Sequence, residues 1–296
     1  MAMGSPRQQE AVPNSSGTDR PRLEAPPGAC DCHMHIYDAA RFPPARPGSR
    51  MQANATVEDY RRLQKRIGTS RTVVVQPAAY GTDNRVTLDA IAQLGNACGV
   101  AVVHPDVSDA ELRTLQAGGI RGIRFTVFDP ATAVTRIEMI EPLAERVAGL
   151  GWHVQIHMRG DQIVANADML RRLPSTIVID HMGRVPLADP AGHGAFKIVR
   201  ELIDKGRTWV KLSGAYQDTK IGPPTYADAT VLAQAYAKAA PERMVWGSDW
   251  PHPTEADKPN DALLFDLLLQ WAPDAATRRR ILVDNPQTLY GFARSA

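Results

Sequence analysis

Eight short apolar segments alternate with longer amphipathic segments along this chain of 296 residues, and that alternation restricts the folds it can adopt. The short segments are rich in β-branched residues and end in glycine, proline or polar residues, as β-strands do. They span residues 29–36, 71–77, 99–105, 119–127, 152–158, 176–182, 208–214 and 243–249. The amphipathic segments predict helices over residues 56–67, 84–97, 108–117, 136–149, 161–172, 194–205, 226–239, 260–271 and 274–292.

Strictly alternating strand–helix units predict a parallel sheet with right-handed crossovers. Eight such units match an α/β fold, the (β/α)8 TIM barrel, which has about 250 residues. A doubly wound open sheet is the alternative. The chain has no G-x-G-x-x-G phosphate-binding fingerprint after the first predicted strand, so the barrel is favoured.

The first 28 residues differ in character from the rest of the chain. They are polar, rich in proline, serine and glycine, and lack the apolar core of a secretory signal. We therefore expect a flexible, disordered leader over residues 1–28 and a single barrel domain over residues 29–296. No segment has the 18 or so apolar residues of a membrane span, and the expected location is cytoplasmic.

Charge and cysteine content exclude several function classes. The chain has 34 basic and 32 acidic residues, a net charge of +2, which gives no reason to expect a nucleic acid or membrane partner. The three cysteines, Cys30, Cys32 and Cys98, are too few and odd in number for a disulfide framework, which favours a reducing compartment. Homo-oligomerisation stays open.

In such barrels the active site lies at the carboxyl ends of the strands, and side chains along a strand alternate between its two faces. On the first predicted strand, this alternation places Asp31, His33 and His35 inside the barrel. It places Cys32 and Met34 toward the helices, where apolar side chains pack well.

Three later predicted strands also end in residues that bind metals. His157 ends the fifth strand, His181 the sixth and Asp249 the eighth. Alternation places His181 on the inner face of the sixth strand and its sequence neighbours on the outer face. Because a barrel brings these ends to one mouth, we expect them to converge with His33 and His35. Imidazole nitrogens and carboxylate oxygens are good ligands for zinc and similar divalent ions.

Several motifs resemble a known family. The "DCHMH" segment (31–35) is similar to the D-x-H-x-H opening of the amidohydrolase superfamily, and "WGSDWPH" (246–252) is similar to its strand-8 aspartate motif. The segments at 76–84, 119–125 and 177–184 resemble the branch that holds 2-pyrone-4,6-dicarboxylate lactonase, sulfomuconolactone hydrolases, sugar lactonases and a galactarolactone isomerase. The resemblance covers roughly residues 28–292.

The resemblance implies roles for the clustered residues. Asp249 takes a proton from the hydrolytic water, and His181 polarises the substrate carbonyl. His33 and His35 occupy metal-ligand positions, and so does His157 in mononuclear zinc members. This implies one divalent ion, Zn²⁺, held by these three histidines and Asp249. A metal-free site is an equal alternative, because close relatives keep H-x-H without an ion and one such relative has tyrosine in place of His157.

Cationic and aromatic residues near the strand ends suit an anionic substrate. Arg124 ends the fourth strand facing inward, where a guanidinium can bind a carboxylate. Lys211 is predicted to point into the barrel, where either a substrate carboxylate or an aspartate would pair with it. The loops that follow the strands offer further candidates for substrate binding, Tyr80, Arg159, Arg184 and Tyr216.

The resemblance implies that the chain hydrolyses the ester bond of a carboxylate-bearing lactone, of the sugar-acid or the pyrone and muconolactone type, in carbohydrate-acid or aromatic catabolism. A lactone isomerase and a metal-dependent non-oxidative decarboxylase are the alternatives. The relatives have a small hydroxyl residue near position 78 and an arginine near 216, whereas this chain has Ala78 and Tyr216. The substrate therefore need not be pyrone dicarboxylate.

Overall fold

The computed structural model describes residues 11–293, and its centre is a sheet of eight parallel strands. The strands are β1 (Cys30–Met34), β2 (Arg71–Val75), β3 (Ala97–Ala101), β4 (Ile120–Thr126), β5 (His153–His157), β6 (Thr176–Ile179), β7 (Thr208–Leu212) and β8 (Met244–Trp246). Their order in the sheet is their order in the sequence, which is the order in a barrel.

The barrel closes through the residues that follow β8. The backbone N–H of Asp249 donates to the carbonyl of His33 at 2.7 Å, and the N–H of His35 donates to the carbonyl of Trp250 at 2.8 Å. These bonds join the last strand to the first. The predicted (β/α)8 barrel is confirmed.

Helices surround the sheet. They are α1 (Val57–Ile67), α2 (Arg85–Leu94), α3 (Asp109–Ala117), α4 (Ile140–Ala148), α5 (Gly160–Ala165), α6 (Ala167–Arg172), α7 (Gly194–Asp204), α8 (Ala227–Ala239), α9 (Asp261–Asp266), α10 (Leu268–Trp271), α11 (Ala275–Arg279) and α12 (Asn285–Tyr290), with a π-helical turn at Arg280–Asp284. Short 3₁₀ segments lie at Ala78–Tyr80, Ile137–Met139, His181–Arg184 and Pro241–Arg243. Within residues 11–293, no helix combines the length and apolarity that crossing a bilayer would require.

Helix α1 illustrates how the sequence sets these boundaries. Thr56 caps its first turn in a reciprocal capping box with Asp59, and Gly68 ends it in the left-handed conformation. The helix buries Tyr60 and Leu63, while Glu58, Arg61 and Lys65 are exposed. Arg66 is buried and donates to the carbonyl of Asp19 at 2.8 Å.

The inside of the barrel differs from the prediction on β1. Ten buried side chains form one cluster drawn from six strands and the C-terminal helix, Cys30, Cys32, Val73, Val75, Cys98, Val100, Val178, Trp209, Val245 and Tyr290. Cys32 therefore faces the interior. Asp31 faces outward, where its carboxylate accepts hydrogen bonds from Tyr60 at 3.0 Å and Ser248 at 2.6 Å. The prediction for these two residues was wrong because β1 shifts register between Asp31 and Met34, which breaks the alternation.

The expected flexible leader also differs from the structure. From residue 11 onward the segment lies against the barrel, with Val12 and Leu23 buried. The carbonyl of Pro13 accepts a hydrogen bond from the indole of Trp250 at 2.7 Å, and the N–H of Leu23 donates to Asp266 at 2.9 Å. Apolar anchors and satisfied backbone groups hold this segment, despite its polar composition. Residues 1–10 lie outside the described residues.

Candidate active site

The mouth of the barrel brings together four of the predicted site residues. Oδ1 of Asp249 lies 3.5 Å from Nε2 of His33, 3.3 Å from Nε2 of His35 and 3.9 Å from Nε2 of His181. All four side chains are buried. Three imidazoles thus surround one carboxylate oxygen, as the position of these residues at strand ends predicted.

The other ring nitrogen of each histidine has its own neighbour. Nδ1 of His35 lies 2.8 Å from the carbonyl of Val75, Nδ1 of His33 lies 3.3 Å from Asp180, and Nδ1 of His181 lies 2.9 Å from the hydroxyl of Ser213. A carbonyl can only accept, so Nδ1 of His35 carries the proton. A neutral His35 therefore turns the lone pair of Nε2 toward Asp249.

The charge states of the cluster follow from burial. Burial lowers the pKa of His33 well below its usual value, and it also lowers the pKa of His181. Burial alone would raise the pKa of Asp249, but the imidazoles of His181, His35 and His33 outweigh it and the pKa lies well below the usual value. At neutral pH the site therefore holds the Asp249 carboxylate beside neutral imidazoles of His33 and His181.

This arrangement fits a metal ion. Nε2 of His35 and Oδ1 of Asp249 are both acceptors, so their contact of 3.3 Å becomes attractive only with a cation or a proton between them. Ligands about 2.1 Å from a tetrahedral ion lie about 3.4 Å from each other. Neither ring nitrogen of His33 has a hydrogen-bond partner among the described residues. His33, His35 and Asp249 can together hold one ion.

His157 lies beside this cluster without joining it. Its ring centroid is 4.7 Å from that of His181, but it belongs to neither of the metal-competent groups found among residues 11–293. Nη2 of Arg124 lies 3.3 Å from its Nδ1. A guanidinium only donates, so Nδ1 of His157 accepts and a neutral ring carries its proton on Nε2. In this geometry His157 presents an Nε2–H donor to the mouth, and its role as a metal ligand stays a prediction.

Asp180 is a central residue of the site that the sequence analysis did not identify. Its buried carboxylate accepts hydrogen bonds from Arg124 at 2.9 Å and Gln155 at 3.0 Å, and it lies 3.3 Å from His33. Burial alone would raise its pKa, yet Arg124 and His33 hold the pKa well below the usual value. Asp180 thus links the cationic side of the mouth to the histidine cluster.

Alternation along β6 could have identified Asp180, but the sequence analysis placed this residue on the outer face of the strand. Val178 belongs to the interior cluster, so Asp180, two residues later, also points inward. His181 reaches the mouth only because its backbone has a φ of 48°. The predicted phase of β6 was therefore wrong, although it led to the right histidine.

Asp180 also pairs with two of the predicted substrate-binding residues, Lys211 and Arg124. Lys211 is fully buried, donates to the carbonyl of Cys32 and to Gln155, both at 2.7 Å, and lies 3.9 Å from Asp180. Burial lowers its pKa. Of the two alternatives for Lys211, the structure favours the aspartate partner. Arg124 is also paired with Asp180, but it keeps its second contact with His157 at the mouth.

The predicted loop residues fall into two groups. Arg159 and Arg184 stack over the ring of Phe128 at 5.9 Å and 5.0 Å, and that ring lies 4.5 Å from His157. They line a cavity of about 650 Å³ next to the mouth. Tyr80, in contrast, is buried and accepts a hydrogen bond from the backbone of Asp38, which leaves it a structural contact in the loop after β2.

The second oxygen of Asp249 is also engaged. Tyr216 donates to Oδ2 at 2.6 Å and Gln217 donates to it at 3.0 Å. Tyr216 was predicted to bind substrate and does lie in the mouth, but its hydroxyl proton is donated to Asp249. The sequence offers no signal for Gln217, because a glutamine in a loop is common and its partner is 32 residues away.

Comparison with known proteins agrees with this geometry. The amidohydrolase family model matches residues 30–292, nearly the whole barrel. The chain belongs to the amidohydrolase family. The predicted resemblance is thereby confirmed.

Two similar proteins are named for lactone substrates. The 4-sulfomuconolactone hydrolase of Rhizobium radiobacter is 35% identical and aligns over 97% of this chain and 99% of its own length. The D-galactarolactone isomerase of Agrobacterium fabrum is 33% identical over 95% of this chain and 97% of its own length.

Solved structures share the barrel. An apo crystal structure of an Agrobacterium tumefaciens protein has a TM-score of 0.87 and 30% identity, covering 95% of this chain and 99% of that one. A probable 2-pyrone-4,6-dicarboxylic acid hydrolase from Acinetobacter baumannii, solved with citric acid bound, has a TM-score of 0.76 and 26% identity, covering 90% of this chain and 100% of that one.

Proposed function

We propose that this amidohydrolase is a lactonase that hydrolyses the ring ester of a lactone bearing a carboxylate or a similar anionic group. The observation that carries the proposal is the position of Asp249, with Oδ1 among three imidazoles and Oδ2 held by Tyr216. Relatives named as a lactone hydrolase and a lactone isomerase support the substrate class.

Asp249 acts as the base. Its carboxylate is ionised at neutral pH, and Oδ1 takes a proton from a water molecule as that water attacks the lactone carbonyl carbon. The ring carbon–oxygen bond then breaks, and the proton on Asp249 passes to the departing alkoxide. The products are a hydroxyl group and a carboxylic acid on one open chain, and Asp249 returns to its starting state. The acid then releases its proton to solvent and becomes a carboxylate.

His181 and His157 stabilise the negative charge on the carbonyl oxygen. Nδ1 of His181 lies 2.9 Å from the hydroxyl of Ser213. When that hydroxyl is the donor, a neutral ring carries its proton on Nε2, which points to the mouth. Arg124 leaves His157 in the same state, with a buried Nε2 that has no other hydrogen-bond partner among the described residues. Two donors fixed before substrate arrives can form an oxyanion site.

His33, His35 and Asp249 are the residues that would hold a divalent ion such as Zn²⁺. A bound ion of this kind lowers the pKa of its water toward about 7 and polarises a carbonyl oxygen. In the metal-free alternative, Asp249 alone removes the proton from water. His181 and His157 have the same role in both cases, and Asp249 remains the proton acceptor.

Anionic substrate groups are expected on the side of the mouth where Arg159 and Arg184 stack on Phe128. Arginine is suited to a carboxylate or sulfonate because its planar group donates two parallel hydrogen bonds. Arg184 already pairs with Asp218 at 2.9 Å, so it holds a fixed orientation. Arg159 is exposed and can turn toward a ligand.

A lactone panel tests the proposal. Aldonolactones, aldarolactones, a muconolactone and pyrone dicarboxylate are incubated with the protein, and ring opening is followed by NMR. We expect at least one anionic lactone to open, and Asp249→Asn to lower kcat by roughly 10²–10⁴-fold. Asp266→Asn, which changes a buried aspartate outside the mouth, is the matched control. Full activity in Asp249→Asn would reject Asp249 as the base.

Isomerisation is the second candidate, because the galactarolactone isomerase is nearly as similar as the hydrolase. An isomerase moves the ester to another hydroxyl of the same molecule, without net uptake of water. Reaction in H₂¹⁸O separates the two: hydrolysis places ¹⁸O in the product carboxylate, whereas isomerisation returns an unlabelled lactone.

A further inference from the structure

A buried chain of hydrogen bonds extends from Asp249 away from the mouth. Tyr216 donates to Oδ2 of Asp249 at 2.6 Å, Nδ1 of His252 lies 3.0 Å from the Tyr216 hydroxyl, and Nε2 of His252 lies 3.2 Å from Oδ2 of Asp261. His252 and Asp261 are fully buried. We propose that Tyr216, His252 and Asp261 are positioning residues that fix the orientation of the Asp249 carboxylate.

The direction of each bond follows from the protons available. Tyr216 has one hydroxyl proton, and it lies on the bond to Asp249, because a carboxylate only accepts. Nδ1 of His252 must therefore donate to the tyrosine oxygen. Its Nε2 then faces a carboxylate oxygen of Asp261, and that contact is attractive only with a proton in it. His252 therefore donates in both directions, through Nε2 to Asp261 and through Nδ1 to Tyr216, and Tyr216 donates in turn to Asp249.

Asp249 needs such support. Its φ is 62°, in the left-handed region that a non-glycine residue rarely occupies, so the local backbone does not favour this geometry. A carboxylate turns readily about its last side-chain bond unless one oxygen is held. Because Tyr216 holds Oδ2, Oδ1 stays directed at His33 and His35. A donor bond from His252 also polarises the tyrosine hydroxyl and strengthens its bond to Asp249.

The far end of the chain is anchored in α9. Asp261 begins that helix, and its N–H donates to the hydroxyl of Ser15 at 3.2 Å. The helix is capped by Asn260, whose side chain accepts from the N–H of Ala262 at 3.0 Å. Helix capping therefore does not use the carboxylate of Asp261, and that carboxylate faces His252 instead.

Kinetics of single variants test the positioning role, which rests on the proposed function. Tyr216→Phe and His252→Leu should lower kcat by roughly 10–100-fold, with KM changed less than about threefold. His252→Asn should recover most of the kcat lost in His252→Leu, because its amide nitrogen replaces Nδ1 as the donor to Tyr216. The control is Asp266→Asn in the same helix, which removes the ion pair with Arg22 at 3.0 Å and should leave kcat unchanged. Equal kcat in all variants would overturn the proposal.

NMR of ¹⁵N-histidine-labelled protein tests the chain without any substrate. Two slowly exchanging ring N–H protons are expected from His252 and assigned by their loss in His252→Asn. Tyr216→Phe should shift the Nδ1 proton, and Asp261→Asn the Nε2 proton. An Nδ1 without a proton would overturn the proposal even if a lactone is hydrolysed. If both ring N–H protons of His252 are present in a protein that opens no lactone, the hydrogen-bond chain is supported and the proposed function is rejected.

Discussion

Nε2 of His35 and Oδ1 of Asp249 lie 3.3 Å apart, and neither atom carries a proton when Nδ1 of His35 donates to the carbonyl of Val75. Two acceptors at this distance repel each other unless positive charge lies between them. The backbone of β2 therefore sets the tautomer of a neutral histidine just after β1 and directs its free lone pair toward Asp249.

Zinc binding is the first prediction. His35→Asn should remove most bound zinc, because it deletes a ligand whose lone pair is already directed at Asp249. His157→Asn should retain zinc, because Arg124 occupies the free lone pair of His157. Metal content of protein purified with added zinc measures both. A loss of zinc in His157→Asn would return this residue to the ligand set, and a wild type without zinc would favour the metal-free alternative.

Glycine at 247 should be essential to the site. A Cβ built on Gly247 would lie 2.8 Å from the backbone nitrogen of His33, and backbone cannot move aside easily. Gly247→Ala should therefore destabilise the fold by about 2–4 kcal/mol or displace His33. Gly149→Ala is the control, since a Cβ there meets no atom within 4 Å. Urea unfolding measures both, and equal stabilities would contradict the close approach.

The stability of the protein should fall as the pH is lowered, because of His153. Burial lowers the pKa of His153 to about 3, whereas an unfolded histidine has a pKa of about 6.5. Its contribution is therefore complete above pH 6.5 or so and is lost as pH falls toward 3, up to about 4 kcal/mol. His153→Gln should flatten unfolding free energy against pH in this window. A pH profile as steep in His153→Gln as in the wild type would contradict this prediction.

The N-terminal segment should contribute to stability. Leu23 is 8% exposed and packs in the main core, so Leu23→Ala should cost about 2 kcal/mol and lower Tm by several degrees. Val231→Ala, at a side chain 52% exposed, is the matched truncation and should change Tm little. Thermal unfolding compares the two. No effect from Leu23→Ala would favour the flexible leader that the composition predicted.

The sequence by itself determined the barrel and most of the residues of the candidate active site. Alternating strand and helix patterns predict parallel packing without knowledge of distant contacts, and strand ends then meet at one mouth. That argument correctly brought His33, His35, His181 and Asp249 together.

Tertiary structure decided the side-chain orientations that alternation along a strand cannot predict. The register shift in β1 turns Asp31 outward, and left-handed backbone at His181 and Asp249 directs both side chains to the mouth. Period-two reasoning assumes regular strands, so it fails where a strand bulges or ends. The contacts of Asp180 and His252 join segments far apart in the chain, and only closure of the barrel brings these segments within hydrogen-bond distance.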